Sequence, residues 1–216
     1  MTWWLRGGAL LLAFVIALVA MFPLRMAWDA ARAPADLTLG EASGTIWSGQ
    51  LRRVAWRGVG LGDFDASISP LDLLPSPALR VANGSGPLKS AMVRGDGGGF
   101  TMSDATIRLA LGDVVAGAPA GLSASITNAA VSLQGERCTH AAGMIESSPA
   151  PDLGLPAFDG VLACDRGFIL ARLSSEAGDV VVEISPGGDT LAYRSASAAL
   201  VPALAALGIP AAQPAG

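Results

Sequence analysis

The sequence has few of the side chains that carry most enzyme chemistry. It contains one His, one Tyr and two Cys in 216 residues, and its single lysine is Lys89. The histidine, His140, stands two residues after Cys138, a spacing that rarely makes a catalytic dyad. A nucleophile, a base and a stabilising group would have to converge from this short supply. We therefore expect a protein that is not an enzyme and that holds no metal or cofactor.

Positive charge is also scarce. The net charge is −4, and beyond residue 33 eleven basic side chains stand against seventeen acidic ones. A surface of this sign repels the phosphate backbone of DNA and RNA. The composition therefore argues against a nucleic-acid partner.

One long apolar run is present near the start. No charge falls between Arg6 and Arg25, and as a helix these eighteen residues would span about 27 Å, which matches a bilayer core. Tryptophan prefers the boundary between membrane and water, and three tryptophans flank the run: Trp3, Trp4 and Trp28. We predict a retained single-pass anchor over residues 1–25, followed by a short linker over residues 26–35.

A cleaved signal peptide is the alternative for this segment. Small residues surround a candidate cut at 31–33, but Arg32 occupies its centre, Pro34 follows it, and it lies well beyond the apolar run. The charges on the two sides of the run nearly balance, so they leave the orientation open. The cysteines favour one orientation, because a disulfide between Cys138 and Cys164 needs an oxidising space. We therefore place the bulk of the chain in the periplasm; two buried free thiols remain the alternative.

The rest of the chain alternates short aliphatic segments with clusters of Gly, Pro, Asn and Asp, which is typical of strands and turns. The expected fold is mainly β: an antiparallel, twisted or curved sheet built as a hairpin meander over residues 36–197, behind one transmembrane helix. A short C-terminal helix, interrupted by Pro202, is expected within an apolar tail at 198–216. Strands are expected at 37–39, 44–48, 50–56, 62–69, 100–111, 122–133, 160–164, 168–173, 180–184 and 190–193.

Three local features refine this prediction. An irregularity is expected in the strand near Asn128, residues 69–76 favour a short helix or open turn, and residues 143–156 form the loosest stretch. In the strand at 62–69, Phe64 and its apolar neighbours alternate with Asp63 and Asp65. Two carboxylates on one face could act as an acid–base pair, but a solvated strand face is the simpler interpretation.

Arginine and tryptophan cluster in the first part of the predicted sheet, at Arg52, Arg53, Arg57, Trp47 and Trp56. Such a cluster could contact acidic lipid headgroups or the carboxylates of a partner, or lie on a solvated sheet edge. Trp47 could likewise belong to the core or act as a binding hot spot.

Several motifs together resemble the protein N family of bacterial type II secretion systems. They are GTIWSG at 44–49, Cys138, the Cys-Asp-x-Gly element at 164–167 and the Gly-x-Pro near the end, at 208–210. The resemblance implies a non-catalytic subunit of the cell inner membrane that aids export of folded proteins across the outer membrane. It also implies other subunits of that system as partners and a candidate interaction or core motif comprising Gly44, Thr45, Ile46, Trp47 and Gly49.

A second function is compatible with the composition. A long antiparallel sheet with an apolar concave face could hold an acyl chain, and the high aliphatic content fits a lipid-binding module anchored in the inner membrane. An open apolar groove would favour this function, whereas a filled core would not.

Overall fold

The computed structural model describes residues 11, 14, 17–18, 20–30, 37–56, 59–69, 78–95, 99–110, 123–186 and 190–212. Within them antiparallel strands dominate and helices are few, which confirms the mainly β prediction. The chain divides into two compact units, Met1–Gly86 and Pro87–Gly216. Among the described residues, no helix combines the length and the apolar character needed to cross a bilayer. Most of the anchor predicted at 1–25, and nearly all of the turn predicted at 69–76, lie outside these residues.

The first unit is organised around one central strand. Its elements are helix α1 (Leu24–Ala30) and strands β1 (Leu37–Thr38), β2 (Glu41–Gly44), β3 (Gly49–Trp56), β4 (Val59–Ile68) and β5 (Ala78–Ala82). Strand β3 pairs antiparallel with β1, β2 and β4, and β4 pairs with β5. Phe64 and Ala66 are 4% and 2% exposed, whereas Asp63 and Asp65 are exposed on the other face. The alternation in the sequence predicts this division correctly.

The second unit is a meander in which each strand pairs antiparallel with the next. Its elements are β6 (Leu88–Gly95), β7 (Gly99–Ala110), β8 (Ser123–Gln134), β9 (Arg137–Ser147), a 3-10 turn (Pro151–Leu153), β10 (Asp159–Asp165), β11 (Phe168–Ser175), β12 (Gly178–Ile184), β13 (Leu191–Ala196) and helix α2 (Val201–Ala206). Connections of two residues join β8 to β9, β10 to β11 and β11 to β12, because antiparallel neighbours need only a tight turn.

Three strands bend at bulges. Arg53 in β3, Asp104 in β7 and Asn128 in β8 have φ angles of 53°, 51° and 52°, and the pairing register shifts at each of them. A bulge adds an unpaired residue and increases the local twist. The bulge at Asn128 confirms the irregularity predicted there.

The Cys-Asp-x-Gly element is a hairpin turn. Arg166 and Gly167 connect β10 to β11 and both have positive φ, 52° and 88°. Two consecutive residues of this kind match the two-residue turn that suits the twist of paired strands. Gly167 supplies the second positive φ without the steric cost of a Cβ.

Strand β9 was missed by the sequence pattern, and the stretch expected to be loosest begins inside it. The strand contains three consecutive small residues at 141–143, so its own preference for a strand is weak. Its pairing with β8 along residues 137–147 supplies the missing stability. Beyond the strand, Ala150 and Leu155 exchange two backbone hydrogen bonds, which orders the following turn.

Helix α2 starts at its proline instead of being interrupted by it. Pro202 lies in the first turn, where its missing N–H removes no hydrogen bond. The helix ends at Ala206. Gly208, whose φ is 70°, then turns the chain, and the Ile209 N–H donates back to the Leu204 carbonyl over 3.0 Å. The chain then lies along β13, where Tyr193 donates to the Pro210 carbonyl over 2.9 Å. The C-terminal segment therefore covers part of this strand edge.

The cysteines join two strands of the second unit whose backbone pairing is short. Strands β9 and β10 pair through three residues each, 144–146 with 159–161. Toward the other end of the strands, Cys138 and Cys164 form a disulfide with their Cα atoms 5.8 Å apart. The Cys138 N–H donates to the Gly167 carbonyl over 2.8 Å. The disulfide predicted from the sequence therefore closes a seam that the backbone ladder leaves open.

The disulfide is surrounded by apolar side chains on one face of the second unit, which we call the apolar face. Val131 and Leu133 are buried beside Cys138. The other side chains of this cluster are partly buried, namely Phe100, Met102, Ala141, Cys164 and Ile169. Packing and covalent linkage thus stabilise the same region.

We predict that the double variant Cys138→Ala/Cys164→Ala is less stable than the wild type by about 3–4 kcal/mol, because it loses a cross-link between residues 26 positions apart. Urea unfolding of the detergent-solubilised chain measures this difference. Thr139→Ala, which removes an exposed side-chain hydrogen bond beside the disulfide, is the matched control and should cost about 1 kcal/mol or less. Equal midpoints for the double variant and the wild type would contradict the prediction.

Candidate functional site

The GTIWSG motif forms the tip of the hairpin between β2 and β3. The prediction of a strand at 44–48 is therefore wrong. Gly44 has a φ of 84°, which turns the chain out of the extended conformation. The Thr45 N–H then donates to the Ser48 carbonyl over 3.0 Å, and the Ser48 N–H donates back to the Thr45 carbonyl over 3.2 Å. We call residues 45–48 the hairpin tip.

The hairpin tip holds the segment that follows the apolar run. The Ile46 N–H donates to the Phe22 carbonyl over 3.1 Å, and Pro23 forms an antiparallel bridge with Thr45. The Ile46 carbonyl in turn accepts the N–H of Ile68 over 2.9 Å. The backbone of Ile46 therefore connects the end of the apolar run to the end of strand β4.

Leu24 completes this contact by packing on a glycine. Its side chain is 4% exposed, and a Cβ added at Gly49 would lie 2.6 Å from Leu24 Cδ2 and 2.6 Å from the Ser43 carbonyl oxygen. Gly49 pairs with Ala66, which is buried. The last Gly of the motif is thus needed for close approach of residues 22–24 to the sheet.

Trp47 is half-buried at the tip, so it is neither a core residue nor fully exposed. It lines a shallow depression of about 460 Å³ together with Ser67, Ile68, Ser69 and Arg80. A second depression of about 510 Å³ shares Ser67 and Arg80 and extends along the face that carries Gln50 and Asp65. Both have mixed polar and apolar linings, which suits a contact surface better than an enclosed ligand site.

The two carboxylates of β4, Asp63 and Asp65, accept hydrogen bonds from other residues of the first unit. Asp63 accepts the Arg53 N–H over 2.7 Å, which stabilises the bulge in β3. Asp65 accepts from the side-chain amides of Asn83 and Gln50 over 2.6 and 3.4 Å. These contacts favour the solvated strand face over an acid–base pair.

The predicted cluster of arginines is only partly described. Arg52 and Arg53 are exposed, and Arg57 lies outside the described residues. Trp56 stands at the opposite end of β3 from the hairpin tip. The structure therefore does not bring Trp47 and Trp56 together.

A charged cluster that the sequence did not predict lies on the second unit, on the face opposite the disulfide, which we call the polar face. Arg194 bonds to Glu183 on β12, with an Nε–Oε2 distance of 2.9 Å, and forms an ion pair with Asp165 on β10. Arg166 approaches Asp165 at 3.5 Å. The register of β13 shifts beside Arg194, so the bulge places the guanidinium between carboxylates that are distant in sequence.

The cluster shifts the pKa values of two of its members, Asp165 and Arg194. The hydrogen bond from Arg194 is the largest cause that lowers the pKa of Asp165 below its ordinary value of 3.8, and the charge of Arg166 adds to it. Hydrogen bonds to Glu183 and Asp165 raise the pKa of Arg194 further above its ordinary value. Asp165 and Arg194 are therefore both charged at neutral pH, and their ion pair links β10 to β13.

The remaining candidate groups do not converge on a site. His140 is exposed, and Cys138 is part of the disulfide. Over the part of the chain that the structure describes, no three His, Cys, Asp or Glu side chains are grouped closely enough to hold a metal ion.

Comparison with known proteins identifies relatives of this chain. Residues 35–215 match the family model described as "Type II secretion system (T2SS), protein N". A protein of Pectobacterium carotovorum subsp. carotovorum, named type II secretion system protein N, is 34% identical over 89 residues, which are 41% of this chain and 36% of that protein. The aligned part thus spans little more than a third of the relative's length. No solved structure matches.

We predict that Arg194→Gln reduces the free energy of unfolding at pH 7, and that the difference from the wild type shrinks as the pH falls through the folded-state pKa of Asp165, below 3.8. The folded-state pKa of this carboxyl is lowered, so its stabilising effect is present above the unfolded-state pKa and is lost as it becomes protonated. Denaturant unfolding at several pH values measures the difference. Arg172→Gln, an exposed arginine on the same face, is the control, and a pH-independent difference at Arg194 would contradict the prediction.

Proposed function

We propose that this chain, which belongs to the protein N family of the type II secretion system, is a non-catalytic subunit anchored in the inner membrane, with its β units in the periplasm. Family membership supports a role in type II secretion. The anchor, the orientation and the absence of catalysis are our proposals.

The exposure of large side chains in the apolar run supports the proposal that this run is a membrane anchor. Four of its described large side chains stand at helical spacing and are 66%, 63%, 54% and 76% exposed, at Leu11, Phe14, Leu18 and Met21. Large apolar side chains left uncovered by their own chain need another apolar environment. Because the run is long enough for a bilayer core, lipid is the environment that fits it.

The disulfide supports the proposed orientation of the chain, with the second unit on the periplasmic side of the membrane. Disulfides persist in the periplasm and are rare in the cytosol, where thiols are kept reduced. Cys138 and Cys164 both belong to the second unit, which we therefore assign to the periplasmic side. Among the described residues, His140 is exposed and no three His, Cys, Asp or Glu side chains are grouped together, which supports a structural and binding role over catalysis.

An exposed apolar pair supports a partner on the polar face. Met144 and Val161 are direct neighbours on β9 and β10, and they are 53% and 50% exposed. Their row continues to Arg172 on β11. A small apolar centre with a charged rim is the usual anatomy of a contact between subunits. We assign this pair to the contact with another subunit of the secretion system.

The lipid-binding alternative has less support. Around the disulfide the apolar face is filled by packed side chains, with Val131, Leu133 and Cys138 all under 9% exposed. An acyl chain bound there would have to displace this cluster. If analysis of the lipids that copurify with the chain found one lipid in stoichiometric amount, this result would support the lipid-binding function.

We predict that Met144→Glu/Val161→Glu reduces recovery of other type II secretion subunits at least about tenfold, because charges would replace the apolar centre of the contact. The measurement is affinity purification of the full chain from membranes in mild detergent. Ser174→Glu, an exposed residue on the same face two strands from β9, is the matched control. Equal recovery with both variants would reject this surface, and failure of the wild-type chain to recover any such subunit would reject the proposed function.

A further inference from the structure

We propose that the hairpin tip is a second membrane contact, in which Trp47 enters the lipid–water interface beside the anchor. The inference rests on the proposed anchor and goes beyond it, because it assigns a lipid-binding role to residues 45–48 and fixes which end of the first unit faces the bilayer.

A backbone hydrogen bond tethers the end of the predicted anchor to the hairpin tip. The predicted membrane-spanning run ends at Leu24, and Phe22 is joined to Ile46 by a backbone hydrogen bond of 3.1 Å. Trp47 is the next residue, and consecutive Cα atoms are about 3.8 Å apart. The tip is therefore held within a few ångströms of the point where the run reaches the membrane surface.

Several interactions join residues 22–24 to the hairpin tip, so the tip stays close to the end of the predicted anchor. The bridge between Pro23 and Thr45, the burial of Leu24 and the close approach at Gly49 all act on the same few residues. A segment that is already ordered loses little entropy when it meets the bilayer. Insertion of one aromatic side chain can then be favourable without a large interface.

The chemistry of the tip matches the lipid interface. Residues 44–49 carry no charge, so no charged side chain of the hairpin tip itself has to be desolvated. Tryptophan combines a large apolar ring with an N–H donor, which is the reason for its enrichment at this boundary. Trp47 is half-buried in the protein, so part of the residue is exposed at the tip.

The neighbouring segment is exposed and apolar as well. Phe22 and Met26 are 38% and 59% exposed, although Leu24 between them is buried. Arg25 is exposed beside them, and an arginine at this depth can extend its guanidinium to the lipid phosphates. Residues 22–24 contact the hairpin tip and its flanking Gly49. The exposed side chains of Phe22, Arg25 and Met26 thus add apolar surface and one positive charge close to the tip in the chain, and this composition fits the headgroup region of a bilayer.

The experiment uses the full chain in vesicles of phosphatidylcholine and phosphatidylglycerol whose acyl chains carry bromine near the interface, which quenches nearby tryptophan emission. One variant keeps only Trp47, with the other four tryptophans changed to Phe. The matched variant keeps only Trp56, which lies at the far end of β3, about 23 Å from Gly49 at 3.3 Å per residue. We expect bromolipid to quench Trp47 at least about twofold more than Trp56.

Two outcomes separate this inference from the proposed function. If the chain floats with the vesicles but Trp47 is quenched no more than Trp56, the second membrane contact is rejected while the anchor stands. If the chain does not float with the vesicles, the anchor is rejected, and the inference fails with it.

A further variant tests the role of the tether. Leu24→Ala, in the background that keeps only Trp47, removes the buried contact without adding atoms, and we expect quenching of Trp47 to fall toward the Trp56 value while flotation is unchanged. Circular dichroism establishes that the variant is folded. A folded Leu24→Ala variant with unchanged quenching would contradict the claim that residues 22–24 position the tip.

Discussion

The second unit depends on the seam between β9 and β10. Every other neighbouring pair in this unit is joined by at least five register pairs, whereas this one has three. The disulfide and the hydrogen bond from Cys138 to Gly167 act where the ladder is missing. Strands β10–β13 and helix α2 follow the seam in the chain, so the disulfide reinforces the place where they join β6–β9, and such a bond forms in an oxidising compartment. Stability and location are therefore linked in this protein.

The first unit is organised by a different constraint, which is the close approach of backbone segments at the hairpin tip. Ile46 uses its N–H for Phe22 and its carbonyl for Ile68, and Gly49 leaves the space that Leu24 occupies. A motif of this kind can persist without any catalytic role, because glycine is required wherever two backbones meet closely. The same geometry brings the predicted membrane anchor to the sheet and underlies the proposed contact of Trp47 with lipid.

The contacts that we assign to partners and to lipid lie on different units and have different chemistry. Met144 and Val161 offer a small apolar centre on the polar face of the second unit. The hairpin tip and residues 21–26 offer an uncharged rim in the first unit. The proposed non-catalytic role requires contacts of this kind, because the effect of such a subunit would come from binding and positioning.

The sequence by itself determined the features that depend on neighbouring residues. Alternation along β4 predicted the burial of Phe64 and Ala66, the side chain of Asn128 favoured a bulge, and a chain with two cysteines has one possible internal disulfide. Only the tertiary structure decided the features that depend on distant residues. Strand β9 has weak local preference and is stabilised by β8, the ion pairs of Arg194 join strands far apart in the chain, and GTIWSG becomes a docking tip because residues 22–24 pack on it. Local patterns do not record such contacts, since their energy appears only when the segments meet.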